Sequence, residues 1–82
     1  MELRNLITFI HVAELGSFTK AAEQLGYSQP SVSFQIKQLE EELGCLLFER
    51  INHTITLTEH GVKLVERAHK VRALIDDFKE DM

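Results

Sequence analysis

From Leu3 onward, apolar residues recur at helical spacing: Leu3, Leu6, Ile7, Ile10 and Ala13, with Phe9 and Val12 widening the stripe. Gly16 is placed to end this helix, and Ser17 offers a capping oxygen to the next. Phe18 to Leu25 reads as a short second helix, whose small Ala21 and Ala22 let another backbone approach closely. Gly26 stops it. Ser28 is a second N-cap candidate, and Pro30 falls in the first turn of a third helix, where its missing N–H costs little. Val32, Ile36, Leu39 and Leu43 mark one face of that helix, and Gly44 ends it.

After Gly44 the period changes. Cys45 to Phe48 is a short apolar run, and Ile55-Thr56-Leu57 sets apolar residues around a polar centre. The polar stretch Arg50 to Thr54 between them predicts a turn, so the segment of about 45–57 reads as a small hairpin. Thr58 is a third N-cap candidate. Beyond it Leu64, Ala68, Val71, Ile75 and Phe78 step by four, three, four and three residues, a heptad-like seam on one long helix. Helix, helix, helix, hairpin, long helix is the order of a winged helix-turn-helix, mainly α, with the helix-turn-helix at 18–37 and the hairpin as wing. No repeat, low-complexity stretch or flexible linker interrupts it.

Eighty-two residues make one domain with a thin core. A hydrophobic content of 44% suits a globular chain, and no apolar run is long enough for a membrane span. Met1-Glu2-Leu3-Arg4-Asn5 lacks the apolar core of a secretory signal, and the single Cys45 cannot form an internal disulfide, so the expected compartment is the cytoplasm. The net charge of −4 works against a nucleic-acid partner, whose binders usually carry a basic footprint. The acids are unevenly placed, however: Glu40-Glu41-Glu42 form one run, and Asp76, Asp77, Glu80 and Asp81 crowd the end. Between Ser17 and Lys37, Lys20 and Lys37 face only Glu23, leaving that segment positive by one charge. Composition permits DNA binding without predicting it.

Motifs in fixed order then add to the picture: Leu3-Arg4-Asn5-Leu6 with Phe9, Gly16-Ser17-Phe18-Thr19 with Ala21-Ala22, and Leu25-Gly26-Tyr27-Ser28-Gln29-Pro30-Ser31-Val32-Ser33. Gln35-Ile36, Leu39-Glu40, Leu43-Gly44, Leu47-Phe48, Arg50 and Leu57-Thr58 with Gly61 continue the series without insertion. This ordered set resembles the LysR-type transcriptional regulators, across nearly the whole chain. The resemblance implies a winged DNA-binding domain at 1–58 and a linker helix at 59–82 through which two copies pair. It further implies duplex DNA with an interrupted inverted repeat as partner, homodimers or dimer pairs (tetramers), and no membrane. The chain would be the DNA-binding part of a longer regulator, itself without cofactor. A small-molecule effector would belong to a further domain outside it.

In a helix-turn-helix the first residues of the recognition helix meet base edges; here these are Ser28, Gln29, Pro30, Ser31, Ser33 and Phe34. Gln29 is the best base reader, since its amide matches adenine N6 and N7 together. Ser31 and Ser33 reach phosphate or base, and Pro30 offers an apolar face. Phe34 stands where the resemblance leads one to expect a longer polar or basic residue. It has two readings, contact with a thymine methyl or packing between helices. Ser17, Thr19, Lys20 and Lys37 suit phosphate contacts, which position the protein and carry little sequence information. Arg50 and His53 sit at the base and tip of the wing, where a cation can enter a narrow minor groove. The family often has arginine in place of His53, so a histidine implies a weaker or a pH-sensitive wing.

Other features point to structure. Cys45 reads as a packing residue, and Glu40 to Glu42 as a solvated helix face. His11, His60 and His69 lack cysteine partners at zinc-ligand spacing, and no nucleophile or phosphate-loop motif suggests an enzyme. The long-helix seam has two readings, packing on its own domain or on the same helix of a second copy. A helical protein–protein dimerisation module without DNA reading is the alternative function. The polar cluster at the start of the third helix speaks against it, because such a module has no need of Gln29, Pro30 and their serines.

Overall fold

The computed structural model describes residues 1–82. Four helices and one hairpin follow in the order α1 (Leu3–Leu15), α2 (Phe18–Leu25), α3 (Gln29–Leu43), β1 (Phe48–Ile51), β2 (Thr54–Leu57) and α4 (Glu59–Glu80). This is a winged helix-turn-helix with a long C-terminal helix.

Local chemistry sets the boundaries. The Ser17, Ser28 and Thr58 side-chain oxygens accept backbone N–H groups of Lys20, Ser31 and Gly61, so each begins a helix by satisfying one of its free donors. Gly26 ends α2 at φ +75°, a left-handed conformation that a Cβ would strain, and this bend turns the chain from α2 into α3.

The core is one cluster. Phe9, Ile10 and Val12 of α1, Ala21 and Ala22 of α2, and Val32, Ile36 and Leu39 of α3 meet Leu47 and Phe48 below the hairpin and Ala68 of α4. The stripe of α1 is rotated from the expected one: Leu3 and Ile7 lie at its exposed margin, while Asn5 and Thr8 are buried. Those polar groups are paired across to α3. Thr8 Oγ1 donates to Gln35 Oε1 at 2.6 Å, and Asn5 Nδ2 donates to Gln38 Oε1 at 3.0 Å. Leu43, expected on the inner face of α3, is exposed because the helix outruns its neighbours there.

The hairpin also starts later than the apolar run suggests. Cys45 to Leu47 form no strand, because their backbone groups bond elsewhere. Leu47 N–H donates to Glu40 Oε2 at 2.7 Å, Leu47 C=O accepts from Thr58 N–H at 3.0 Å, and Leu46 C=O accepts from the Thr58 hydroxyl at 2.6 Å. Glu40 therefore fastens the α3–β1 connection and is not simply a solvated acid. Cys45 is half-buried against the core. Strands β1 and β2 pair antiparallel from Phe48↔Leu57 to Ile51↔Thr54, leaving Asn52 and His53 as a two-residue turn. Both have positive φ, 50° and 65°, as the twist-matched hairpin turn requires.

Helix α4 divides in two. Gly61, Leu64, Val65 and Ala68 pack on the domain, whereas every residue from His69 on is exposed. The seam is corrected accordingly: Ala68 is fully buried in its own core and Leu64 partly so, and these two residues pack within the chain itself. Val71, Ile75 and Phe78 remain uncovered. Gly61 marks the tightest approach, since a Cβ there would collide with the Leu47 carbonyl oxygen.

Candidate nucleic-acid interface

Three elements bring Ser17, Thr19, Gln29, Arg50 and His53 together, with Ser33 and Lys37 in an adjoining groove; Lys20, Ser28, Pro30, Ser31 and Phe34 line neither. Helix α3 contributes its N-terminus, where Gln29 and Pro30 are exposed and Ser31 and Ser33 half-exposed. Gln29 Nε2 donates to Ser33 Oγ at 2.9 Å, so the amide is steadied by the next turn of its own helix. Lys37 follows one turn later, exposed. The packing reading of Phe34 is overturned: the residue is 64% exposed.

Helix α2 contributes its own start. Ser17 caps it, and Thr19 and Lys20 are exposed in its first turn. A side-chain cap leaves the remaining first-turn N–H groups and the positive end of the helix dipole directed outward, favourable for an anionic oxygen.

The hairpin closes the face. Arg50 lies on β1 opposite Ile55, and its guanidinium carbon stands 4.6 Å from the centre of the Phe18 ring. That ring in turn meets Phe48 edge-on, centroids 5.7 Å apart, and Phe48 meets Phe9 at 5.4 Å. A cation over an aromatic face is attracted by the ring quadrupole. Phe18 thus holds the arginine against the body while leaving its charge at the surface. His53 occupies the tip of the turn, exposed.

Ser17, Phe18, Thr19, Gln29, Arg50 and His53 all line one hollow of about 350 Å³ between α2, α3 and the wing. Beside it a broader groove of about 760 Å³ runs along α3, with Ser33 and Lys37 on one wall and Phe48 and Arg50 on the other. Arg50 borders both. Glu40 and Glu41 line the same groove further along α3, Glu40 with its carboxylate accepting from Leu47 N–H. The seam read from the sequence, Leu64, Ala68, Val71, Ile75 and Phe78, lies apart, on α4. The aromatic relay Phe18–Phe48 and the polar pairs Asn5–Gln38 and Thr8–Gln35 escaped the sequence reading. The signal was present only in Asn5 and Thr8, polar residues three apart on an otherwise apolar face.

Residues 3–62 match the model of the family described as "Bacterial regulatory helix-turn-helix protein, lysR family". The chain belongs to this LysR family. It is 52% identical over 82 residues to the HTH-type transcriptional regulator YtlI of Bacillus subtilis (strain 168), covering 100% of this chain and 26% of YtlI. To the HTH-type transcriptional regulator BudR of Klebsiella aerogenes it is 51% identical over 76 residues, 93% of this chain and 53% of BudR. Among solved structures, the BenM DBD/catB site 1 DNA complex superposes with a TM-score of 0.92 at 42% identity, covering 98% of this chain and 90% of that one. The chain spans between about a quarter and a half of the length of the curated relatives it matches. Its four helices and two-stranded hairpin are those of the LysR winged helix domain.

Proposed function

We propose that this LysR-family domain binds double-stranded DNA sequence-specifically for transcription regulation, and does so as a homodimer. The observation that carries this reading is the convergence of the α2 start, the α3 start and Arg50 with His53 on one hollow. In this reading residues 1–58 form the DNA-binding unit and α3 enters the major groove. Gln29, oriented by Ser33, meets a base edge. Pro30 and Ser31 sit close to it, and Ser28 holds the helix start toward the backbone. Ser17, Thr19, Lys20 and Lys37 take phosphates on either side, and Arg50 with His53 reaches the minor groove. The BenM complex contains DNA, which supports the same class of ligand here.

Pairing follows from α4. Residues 59–82 form the linker helix of this reading, and its outer half has no cover of its own: Leu74 and Phe78 are 68% and 66% exposed. With Leu3, Ile7 and Ile10 of α1, the seam residues Val71 and Ile75 line a shallow groove of about 280 Å³. A second α4 would fill it, and an apolar helix is stable in water chiefly through such packing. Two copies would then present two α3 helices to successive major-groove turns, about 34 Å apart. The long protein of which this domain is a part would work in the cytoplasm, pair dimers into tetramers, and carry a separate effector domain.

Selection of bound duplexes from a random pool tests the reading. It should enrich an interrupted inverted repeat whose half-sites lie about one helical turn apart. Recovery of duplexes with no common sequence would contradict it and favour a protein-dimerisation module.

A further inference from the structure

Phe34 differs from its aromatic neighbours. Phe9, Phe18 and Phe48 pack ring against ring in the core. Phe34 lies outside that cluster, in the second turn of α3, with most of its ring in solvent. Val32, Gln35, Ile36 and Leu39 define the inward face of α3. At about 100° per residue, Phe34 points nearly opposite to them. Pro30 sits one turn before it on the same outward face, also exposed. Beside this pair run Gln29 and Ser33, joined by their hydrogen bond. The outward face of α3 thus carries an apolar track, Pro30–Phe34, next to a polar one, Gln29–Ser33.

We propose that Phe34, backed by Pro30, is a specificity-determining residue that reads the C5 methyl group of a pyrimidine in the major groove. This rests on the DNA-reading role of α3 proposed above. A phenyl ring has no donor or acceptor, so it gains nothing from the pairing edges of bases. The major groove offers one apolar group at a base edge, the C5 methyl of thymine. Against guanine O6 or N7, or the amino group of cytosine, the ring would strip water from a polar atom and replace it with nothing. Discrimination therefore has an attractive and a repulsive part. Because the methyl itself is read, 5-methylcytosine at the same position is preferred over unmethylated cytosine, although both carry the amino group that thymine lacks.

The test uses the 82-residue chain and a duplex it selects, with each thymine replaced in turn by deoxyuridine, which removes only the methyl. Binding should fall about fourfold at one position per half-site, the equivalent of the ~0.8 kcal/mol that burial of one methyl-sized group is worth. In Phe34→Ala the thymine and deoxyuridine duplexes should bind alike at that position, with preferences elsewhere unchanged. Phe34→Leu should keep part of the discrimination, and 5-methylcytosine should bind better than cytosine to the native chain only. Equal binding of thymine and deoxyuridine duplexes by the native chain at every position overturns the proposal, and so does discrimination that survives Phe34→Ala. Either result, with selective binding intact, leaves the reading by Gln29 standing and assigns the exposed ring to a protein surface. Failure to select any duplex overturns both.

Discussion

On the proposed reading, individual side chains divide into those that read and those that hold. Gln29 and Lys37 lie two turns apart on the same helix, yet their chemistry differs: an amide can match one base edge, whereas an ammonium is satisfied by any phosphate. Gln29→Ala should therefore relax base preference at one position, worth about 1–3 kcal/mol of discrimination, and leave the salt dependence as it was. Lys37→Ala should weaken binding to all sequences alike and reduce the slope of log affinity against log salt by about one per protomer. Affinities for selected and mismatched duplexes over a salt series separate the two effects. Among the holding residues, Thr8 and Gln35 form a buried pair of 2.6 Å between α1 and α3. Thr8→Val should cost about 1–3 kcal/mol in urea unfolding, because Gln35 loses its partner inside the core. Adding Gln35→Leu should recover a good part of that loss. A double variant less stable than the sum of the two singles would refute the pairing.

Elements were legible to the extent that local chemistry determines them. The caps Ser17, Ser28 and Thr58 and the left-handed Gly16, Gly26 and Gly44 mark every helix boundary near the interface, and all are readable from residue type. The start of the hairpin was not, because it depends on Glu40 reaching Leu47 N–H and on Thr58 closing onto Leu46 and Leu47, contacts between residues far apart in the chain. The same holds for the site. The α3 start follows from sequence position, but the placing of Arg50 depends on Phe18, a residue of α2 that looks like ordinary core. The long helix misled in a different way: heptad spacing cannot say which neighbour each residue faces, and Ala68 turned out to belong to its own domain. Its docking has a sharp prediction. Gly61→Ala would drive a methyl into the Leu47 carbonyl, which is itself held by Thr58 N–H. A loss at the upper end of about 1–3 kcal/mol is expected, with a lowered unfolding midpoint. An unchanged midpoint would show that α4 sits less closely on the hairpin.

At the scale of the whole molecule, charge and pairing are linked. A chain of net charge −4 binds a polyanion only if its cations are gathered and its acids kept away. Here Lys37 and Arg50 line one groove, which Glu40 and Glu41 also border, while Asp76, Asp77, Glu80 and Asp81 sit at the far end of α4. One such face is a small footprint. Under the proposed pairing of α4 helices, two such faces would double the phosphate contacts and fix their spacing. Val71→Glu places a charge at the partly exposed rim of the α1–α4 groove; if α4 pairs as proposed, it should lower the sedimentation coefficient to that of a monomer while the unfolding midpoint stays close to that of the native chain. It should also weaken binding to an inverted repeat far more than binding to a single half-site.

The central claim, a paired basic face on an acidic chain, is tested most directly by duplex affinity measured against salt for selected and random DNA. The account predicts a linear log–log fall of about 0.9 for each phosphate neutralised, with tighter binding to the selected duplex at every salt concentration. A flat slope, with selected and random duplexes bound alike, would contradict it.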